Sequence, residues 1–327
     1  MHCAELCKVL IMRKLAVIAL GGNALIREDQ AGTIEEQEQN VTETLENLLF
    51  LLEADFHLVI SHGNGPQVGN LLMKNDAGEH VYGLPQMPVD VCVADTQGEI
   101  GYMIERMMVN LLRRYQINKD VVTLISQVEV DKDDPAFQDP QKRIGKTYHR
   151  EQADKLAREK GWVFKKEVTS EGGWRRVIPS PLPKTIMNED VIEVLARQGN
   201  IVITTGGGGI PVYTDENNQL RPTEAVIDKD MASALLAANI KADEFYMLTD
   251  VPYVYINYKQ PGEKKLDPLD ITDAKKYLTE GMFSEGSMAP KIRAAIQFIE
   301  NGGNKSVITE AKLLKDKTYG TKVIARY

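Results

Sequence analysis

Short apolar runs alternate with amphipathic stretches along most of this 327-residue chain. The run LAVIAL at residues 15–20 is typical of a strand that is buried on both faces, and apolar residues at helical spacing follow it at 33–54. Alternating strands and helices form right-handed crossovers, which predict a mainly parallel sheet covered by helices. The same pattern predicts strands at 56–60, 121–130, 201–205, 244–251 and 305–309, an edge strand at 322–325, and helices at 96–115, 188–197, 231–240 and 290–300.

One stretch breaks this alternation. Residues 131–183 hold many charged side chains, both tryptophans and five prolines. We expect an inserted subdomain of irregular or hairpin structure that protrudes, like a lid, from a main domain spanning residues 13–327. Residues 1–12 precede the first strand and are expected to form an N-terminal extension.

The acidic charge balance of the chain narrows the range of its partners. The net charge is −8 and the sequence pI is about 5.3. Nucleic acids and anionic membranes require basic patches, so neither is expected as a partner. The chain has no run of about 18 apolar residues, so no membrane span is expected. The three cysteines, Cys3, Cys7 and Cys92, lack the spacing of a zinc site and fit a reducing cytoplasm, which is the expected location.

Glycine-rich turns follow three of the predicted strands. They are Gly21-Gly22-Asn23-Ala24, His62-Gly63-Asn64-Gly65 and the four glycines at 206–209. Ligands of parallel sheets bind beyond the carboxyl ends of the strands, and glycines there let backbone N–H groups approach an anion. Each turn alone also fits an ordinary tight turn or a hinge. A Walker A loop and a dinucleotide motif are both disfavoured, since no Gly-Lys-Ser/Thr follows and Pro211 replaces the third fingerprint glycine. His62 has no evident carboxylate or nucleophile partner, so a structural role is favoured for it.

Two lysines occur where a bound anion would explain them. Lys229 lies between Asp228 and Asp230, and flanking carboxylates keep a lysine charged and oriented. The structural alternatives are that Asp230 caps the following helix and that Asp228 simply pairs with Lys229. Lys291 lies near the start of a predicted helix, whose positive end repels a lysine unless an anion lies between them. A solvated surface lysine is the alternative for Lys291.

Together and in this order, the motifs resemble the amino acid kinase family and, within it, the carbamate kinases. The family-wide features are the first Gly-Gly turn, the later glycine run, the Asp before a helix and the helix start Gly-Ser-Met-x-x-Lys at 286–291. The carbamate kinases are matched by SHGNGPQVGN (61–70), TQGEIGYM (96–103), GWRRVIPSP (173–181), TGGGGIPV (205–212), AVIDKD (225–230) and INYKQPGEKKL (256–266). The similarity runs from about residue 14 to the C-terminus.

The resemblance implies a fold and an activity. The fold is a three-layer α/β/α sandwich with a mainly parallel sheet and a small protruding subdomain, assembled as a homodimer. The activity is reversible phosphoryl transfer between carbamoyl phosphate and ADP in arginine catabolism. Mg²⁺ is expected to accompany the ADP or ATP, and no metal-ligating side chain is assigned.

The resemblance also assigns residues to the site. Catalytic roles go to Lys142, Lys229, Lys291 and Asp230; carbamoyl phosphate is expected at Gly21, Gly22, Asn23, Gly63, Asn64, Gly207 and Gly208; the nucleotide is expected at Thr249, Asp250, Val251, Tyr255 and Met288. Other kinases of the family carry a lysine just before the first Gly-Gly, where this chain has Ala19 and Leu20. Lys142 matches the subdomain lysine that carbamate kinases use instead. From the residues alone, Tyr255 fits a core position equally well.

The chain departs from the carbamate kinase pattern inside the protruding subdomain. Arg143 stands where a proline is usual, and residues 168–172 differ from the usual run. Both departures bear on closure of the subdomain rather than on the fold.

Two alternative functions remain open: one differs in the substrate and the other in the class of protein. One is a kinase of the same family with another acyl or amino acid substrate, and Ala19 in place of the early lysine disfavours it. The other is a carbamate-kinase-like protein that binds its ligand or partner without turnover. Loss of a lysine would favour that second alternative, but Lys142, Lys229 and Lys291 are all present.

Overall fold

A computed structural model describes residues 13–27, 29–167, 172–316 and 319–325 of the chain. Its largest sheet has eight strands. The strands are β1 Leu15–Leu20, β2 His57–His62, β3 Val121–Thr123, β9 Ile201–Ile203, β12 Glu244–Thr249, β15 Leu269–Asp270, β16 Lys305–Glu310 and β17 Thr321–Ile324, in the spatial order β15-β17-β16-β12-β1-β2-β9-β3. Every neighbouring pair is parallel except β16 and β17. The predicted mainly parallel sheet is therefore confirmed.

The expected extension at 1–12, with Cys3 and Cys7, lies outside the described residues, as do residues 168–171 of the loop that departs from the family pattern.

Helices cover both faces of this sheet. The helices of the described residues are α1 Ile34–Glu46, α2 Leu49–Glu53, α3 Gly65–Tyr82, α4 Val89–Arg114, α5 Arg150–Lys160, α6 Glu189–Arg197, α7 Lys229–Asn239, α8 Ile271–Thr279 and α9 Met288–Glu300. Of these, α5 packs against a separate sheet. All six residues of β1 are buried, and alternate ones enter different cores. Leu15, Val17 and Ala19 pack with residues of α6 to α9, whereas Ala16, Ile18 and Leu20 pack with α1, α2 and α4. Because strand side chains alternate between faces, this division produces the predicted three-layer α/β/α sandwich.

Several helix boundaries differ from those predicted. The helix predicted at 33–54 is two helices, because α1 ends at Glu46 and α2 starts at Leu49; Thr33 caps α1 through a capping box with Glu36. The helix predicted from residue 96 begins seven residues earlier, at Val89. Helix α3 was not predicted, because its glycines suggested a loop. Its first turn contains Pro66, which suits that position.

The strand predictions also needed correction. The single strand predicted at 121–130 is two strands, β3 in the main sheet and β4 Gln127–Val130 in a second sheet. That second sheet has the order β11-β10-β4-β8, with β8 Pro183–Ile186, β10 Ile210–Thr214 and β11 Leu220–Pro222. The predicted edge strand at 322–325 is β17, which lies one place inside the edge because Leu269 of β15 pairs with Val323. The pair β13 Val254–Ile256 and β14 Lys264–Leu266 forms a separate antiparallel hairpin.

The segment predicted to protrude contains a sheet of its own. Strands β5 Lys142–Tyr148, β6 Val163–Lys166 and β7 Trp174–Ile178 form an antiparallel sheet in the order β5-β7-β6, and α5 connects the first two along the chain. This segment is more regular than the sequence suggested. Its limits at 131 and 183 stay a prediction.

Across the described ranges, no helix combines the length and the apolar character needed to cross a membrane.

Candidate active site

The three glycine-rich turns lie side by side at one end of the main sheet. They follow β1, β2 and β9, which are adjacent strands in the order β1-β2-β9. Strand β12 flanks β1 on its other side and ends at Thr249. The carboxyl ends of parallel strands lie at the same edge of a sheet, so these turns and Thr249 border one region. This is the position where ligands of such sheets bind.

Gly21 lets the first turn approach β12 closely. A Cβ atom added to Gly21 would lie 2.4 Å from the Leu248 carbonyl oxygen, which is closer than real Cβ contacts. A Cβ added to Gly22 would have no atom within 4 Å, so Gly22 faces open space. The turn is thus packed against β12 on the side of Gly21 and open on the side of Gly22.

The glycine run after β9 is a buried, tightly packed turn. Gly207, Gly208 and Gly209 have φ values of +64°, +90° and +92°, and a Cβ on Gly207 would lie 2.2 Å from the Asn64 amide. Thr205 also has a positive φ of +50°, which is strained for a β-branched residue. Such strain is concentrated at functional sites, where the surrounding structure maintains it.

His62 and Asn64 support this packing. His62 Nδ1 lies 2.9 Å from the Gly63 carbonyl oxygen, and a Cβ on Gly206 would lie 2.3 Å from His62 Nε2. Burial lowers the pKa of His62 to about 4, so its ring is neutral at neutral pH. Asn64 Nδ2 donates to Thr96 Oγ1 at 3.0 Å. A neutral, enclosed imidazole fits the structural role that the sequence favoured.

A buried cluster of two lysines and one aspartate lies where α7 and α9 begin. Asp230 is only 3% exposed. Its Oδ1 accepts from Lys229 Nζ at 2.5 Å, and its Oδ2 accepts from Lys291 Nζ at 2.9 Å. Lys291 is therefore not a solvated surface lysine, and its nearest anion is this carboxylate. The sequence comparison led us to expect that Asp230 orients the lysines; its carboxylate contacts both of them, although they are 62 positions apart along the chain, and its catalytic role stays a prediction.

The electrostatics of the cluster favour an additional anion. Burial lowers the pKa of Lys229, and the Lys291 ammonium lowers it further, whereas the Asp230 carboxylate opposes both effects. Burial alone would raise the pKa of Asp230, but the two ammonium groups and their hydrogen bonds outweigh it and lower that pKa far below its usual range. With both lysines protonated, two positive charges share one negative charge. A phosphoryl oxygen would supply the missing negative charge.

The helix cap at α7 differs from the structural alternative considered for Asp230. Asp228 is the N-cap, because its Oδ1 accepts from the backbone N–H groups of Asp230 at 2.9 Å and Met231 at 3.3 Å. Asp228 Oδ2 accepts from Lys142 Nζ at 3.2 Å. Lys142, which starts β5, thus reaches the same helix start that carries Lys229 and Asp230.

A cavity of about 850 Å³ opens beside the first glycine turn and the lysine cluster. Eight of the residues assigned from the sequence line it: Gly21, Gly22, Asn23, Lys229, Lys291, Thr249, Asp250 and Val251. Among the described residues, the other assigned positions do not line this cavity: Lys142, Asp230, Gly63, Asn64, Gly207, Gly208, Tyr255 and Met288. Asp230 and Lys142 reach this region through ion pairs, and the ring of Tyr255 lies 5.6 Å from that of Tyr258, which does line the cavity. Met288 begins α9 and packs against the core.

Sequence reasoning missed several charged residues of this cavity. Arg27 pairs with Glu43 at 2.5 Å and Lys312 pairs with Glu310 at 2.7 Å, and Lys259 also lines the space. Lys312 and Glu310 lie at the end of β16, so the rule that ligands bind beyond strand ends could have suggested them. For Arg27, the sequence offers no comparable signal.

Comparison with known proteins identifies the family. Residues 14–310 match the model of the amino acid kinase family. The carbamate kinase of Thermococcus kodakarensis is 49% identical over 95% of this chain and 99% of its own length, and that of Pyrococcus furiosus is 46% identical over 96% and 100%. The structure of carbamate kinase from Giardia lamblia bound to AMP-PNP is similar, with a TM-score of 0.89 and 38% identity over 96% of this chain and 99% of that one. These matches agree with one another and with the motifs at the strand ends. The chain therefore belongs to the amino acid kinase family, in which it groups with the carbamate kinases.

Proposed function

We propose that this protein catalyses reversible phosphoryl transfer between carbamoyl phosphate and ADP, giving ATP and carbamate. The observation that carries the proposal is the buried Lys229–Asp230–Lys291 cluster, whose two lysines line the cavity beside the Gly21-Gly22 turn. The names of the relatives supply the substrate, since proteins up to 49% identical over nearly the whole chain are carbamate kinases.

The reaction needs positioning and charge neutralisation more than covalent help from the protein. An oxygen of the ADP β-phosphate attacks phosphorus, the bond from phosphorus to the carbamate oxygen breaks, and carbamate leaves with the electron pair. The attacking oxygen is already anionic, so no general base is required in this direction. A neutral, buried His62 is compatible with that requirement.

The lysines are proposed to neutralise the transferred group. Lys229 and Lys291 would donate to its equatorial oxygens, and Asp230 would keep both ammonium groups charged and oriented. Lys142 would add a third positive charge from the protruding subdomain. Three cations directed at one phosphoryl group stabilise the charge that develops during transfer.

Backbone groups of the glycine turns are proposed to hold the other parts of the substrate. The N–H groups of Gly21 and Gly22 and those of Gly207 and Gly208 would cradle the phosphoryl group. Asn23, together with Gly63 and Asn64, would contact the carbamoyl end. Gly22 faces open space beside the cavity, which supports the first of these assignments.

The nucleotide is proposed to occupy the cavity. Its volume lies in the usual range for small-molecule sites, and Thr249, Asp250 and Val251 form part of its wall. Tyr255 and Met288 complete the proposed contacts. The Giardia relative, solved with the nucleotide analogue AMP-PNP, supports a nucleotide site in this fold.

Mg²⁺ is proposed to enter with the nucleotide. No group of three or more His, Cys, Asp or Glu side chains that could hold a metal ion was found in the described part of the chain. Nucleotide-bound Mg²⁺ needs only one or two carboxylates besides phosphates and water, so the residues present fit it. Asp250 lines the cavity and would provide such a carboxylate. When bound, the ion neutralises charge on the phosphates.

The proposal also covers the location, oligomeric state, pathway and partners of the enzyme. We propose a cytoplasmic homodimer that serves arginine catabolism and has neither nucleic acid nor membrane as a partner. The acidic charge balance supports the last point, and closed two-fold dimers are the commonest oligomers.

A coupled assay of ATP formation tests the proposed reaction. The purified protein is mixed with ADP, Mg²⁺ and either carbamoyl phosphate or acetyl phosphate, and ATP is measured. We expect ATP from carbamoyl phosphate. ATP formed only from acetyl phosphate would indicate another acyl substrate. Binding of ADP without ATP from either donor would indicate a protein that binds without turnover.

A further inference from the structure

Asp228 connects the protruding subdomain to the catalytic helix start. Its two carboxylate oxygens have different partners. Oδ1 accepts from the backbone N–H groups of Asp230 and Met231, whereas Oδ2 accepts from Lys142 Nζ at 3.2 Å. Asp228 does not serve as the ion-pair partner of its neighbour Lys229, whose ammonium donates to Asp230. One carboxylate therefore caps α7 and also holds the ammonium group of a residue 86 positions earlier.

The cap makes Asp228 a fixed acceptor. Two backbone N–H groups of α7 hold Oδ1, so Oδ2 keeps a defined position relative to Lys229 and Asp230 in the same helical turn. Lys142, by contrast, ends in a flexible four-carbon side chain and starts a strand of a separate sheet. Without an anchor, its ammonium would sample many positions. A lysine ammonium has three donors, so one can bind Asp228 while the others remain available to a ligand.

We infer that Asp228 is a positioning residue for the transfer reaction, which orients Lys142 toward the transferred phosphoryl group while it caps α7. This inference rests on the proposed function, since Lys142 must act on that group. Asp228 acts through Lys142 and does not itself contact the substrate. The docking of the subdomain lysine is thereby tied to the helix that carries the buried lysine cluster.

Asp228→Asn separates the two tasks of this side chain. Asparagine caps helices about as well as aspartate, so the amide preserves the cap and removes the charge that binds Lys142. We expect kcat to fall roughly tenfold with KM for ADP unchanged, because the misplaced ammonium acts in the transfer step. Asp270→Asn is the matched control, since Asp270 caps α8 by accepting from Thr272 N at 2.7 Å. The control should retain wild-type kcat. Wild-type kcat in Asp228→Asn would overturn the inference.

A second background tests whether Asp228 acts through Lys142. In Lys142→Ala, the additional change Asp228→Asn should cost little further activity. An equal loss in both backgrounds would mean that Asp228 acts independently of Lys142, and the inference would be wrong. If Lys142→Ala is too slow to measure, hydrogen exchange decides: Asp228→Asn should speed exchange in β5, and unchanged exchange there overturns the inference. Failure of the proposed function is distinguishable, because the wild-type protein would then form no ATP.

Discussion

Replacing Asp230 by asparagine tests whether the lysine cluster is held together by charge. The substitution keeps the size and shape of the side chain, so it creates no cavity. It removes the negative charge that Lys229 and Lys291 share at 2.5 Å and 2.9 Å. The amide oxygen can still accept from one lysine, but its NH₂ group faces the other. Two buried ammonium groups then lose the carboxylate that they share.

The expected loss of stability follows from burial. Removing one partner of a buried ion pair costs about 3–5 kcal/mol, because the remaining charge stays buried and uncompensated. The side chains of Lys229 and Lys291 are 16% and 10% exposed, so water screens them only slightly. One hydrogen bond survives the substitution, which places the expected loss near the lower limit, at about 3 kcal/mol.

Urea unfolding of the ligand-free protein measures this loss. The free energy of unfolding should fall for Asp230→Asn with little change in the denaturant slope. Asp139→Asn is the control, because Asp139 accepts from Lys165 at 2.6 Å but is 72% exposed, and exposed pairs contribute little. The control should match the wild type. A loss below about 1 kcal/mol in Asp230→Asn would show that the charge of the carboxylate does not hold the cluster together.

The pH dependence gives a second readout of the same substitution. The pKa of Asp230 is lowered in the fold, so its contribution is present above the unfolded pKa of about 3.9 and is lost as pH falls below that value. The difference between wild type and Asp230→Asn should therefore shrink below about pH 4. A difference that stays constant through this range would contradict the assignment.

Four further predictions follow from the site and the fold. Lys291→Ala should lower kcat much more than it weakens ADP binding measured by calorimetry, and unchanged turnover would remove Lys291 from the site. Burial lowers the pKa of His62 from 6.5 to about 4, so His62 should contribute a loss of about 3 kcal/mol in stability from pH 6.5 to 4; His62→Gln should make the fall in stability over this range smaller by that amount in urea titrations, and an unaltered fall would refute it. Residues 131–183 should exchange hydrogen fastest in the free protein and slow down with ADP and carbamoyl phosphate, whereas equally strong protection in both states would refute closure of a lid. Light scattering at micromolar concentration should give twice 36.6 kDa, and a mass of 36.6 kDa would contradict the homodimer.

The sequence predicted those parts of the fold that depend on local pattern. Residues 15–20 are apolar throughout, and a strand of that kind must be buried on both faces, as β1 is. Helix α3 was missed because its glycines and Pro66 weaken the local signal, which tertiary packing overrides. Strands such as β11 and β15 have two or three residues, too few for a period to emerge.

The same limit applies to the site. Residues 225–230 indicated a phosphate-binding lysine between two carboxylates, but not which carboxylate binds which lysine. Asp228 and Asp230 lie only two residues apart, and the start of α7 turns them toward different partners, Lys142 and Lys291. Their pairing depends on the packing of α7 against α9 and on the position of β5, neither of which is encoded locally. The cavity residue Arg27 depends on tertiary structure in the same way.

The close approach of Gly21 to Leu248 has a consequence for inhibitor design. Close approach of the backbone of the first turn to β12 limits changes in the spacing between the Gly21-Gly22 turn, the proposed phosphoryl site, and Thr249 on the cavity wall. A molecule that joins a nucleotide mimic to a carbamoyl phosphate mimic would therefore meet a receptor of nearly constant length. A rigid linker of that length would lose little conformational freedom on binding, whereas a flexible one would have to be ordered. Affinity in such a series should rise to a sharp optimum in linker length and not level off.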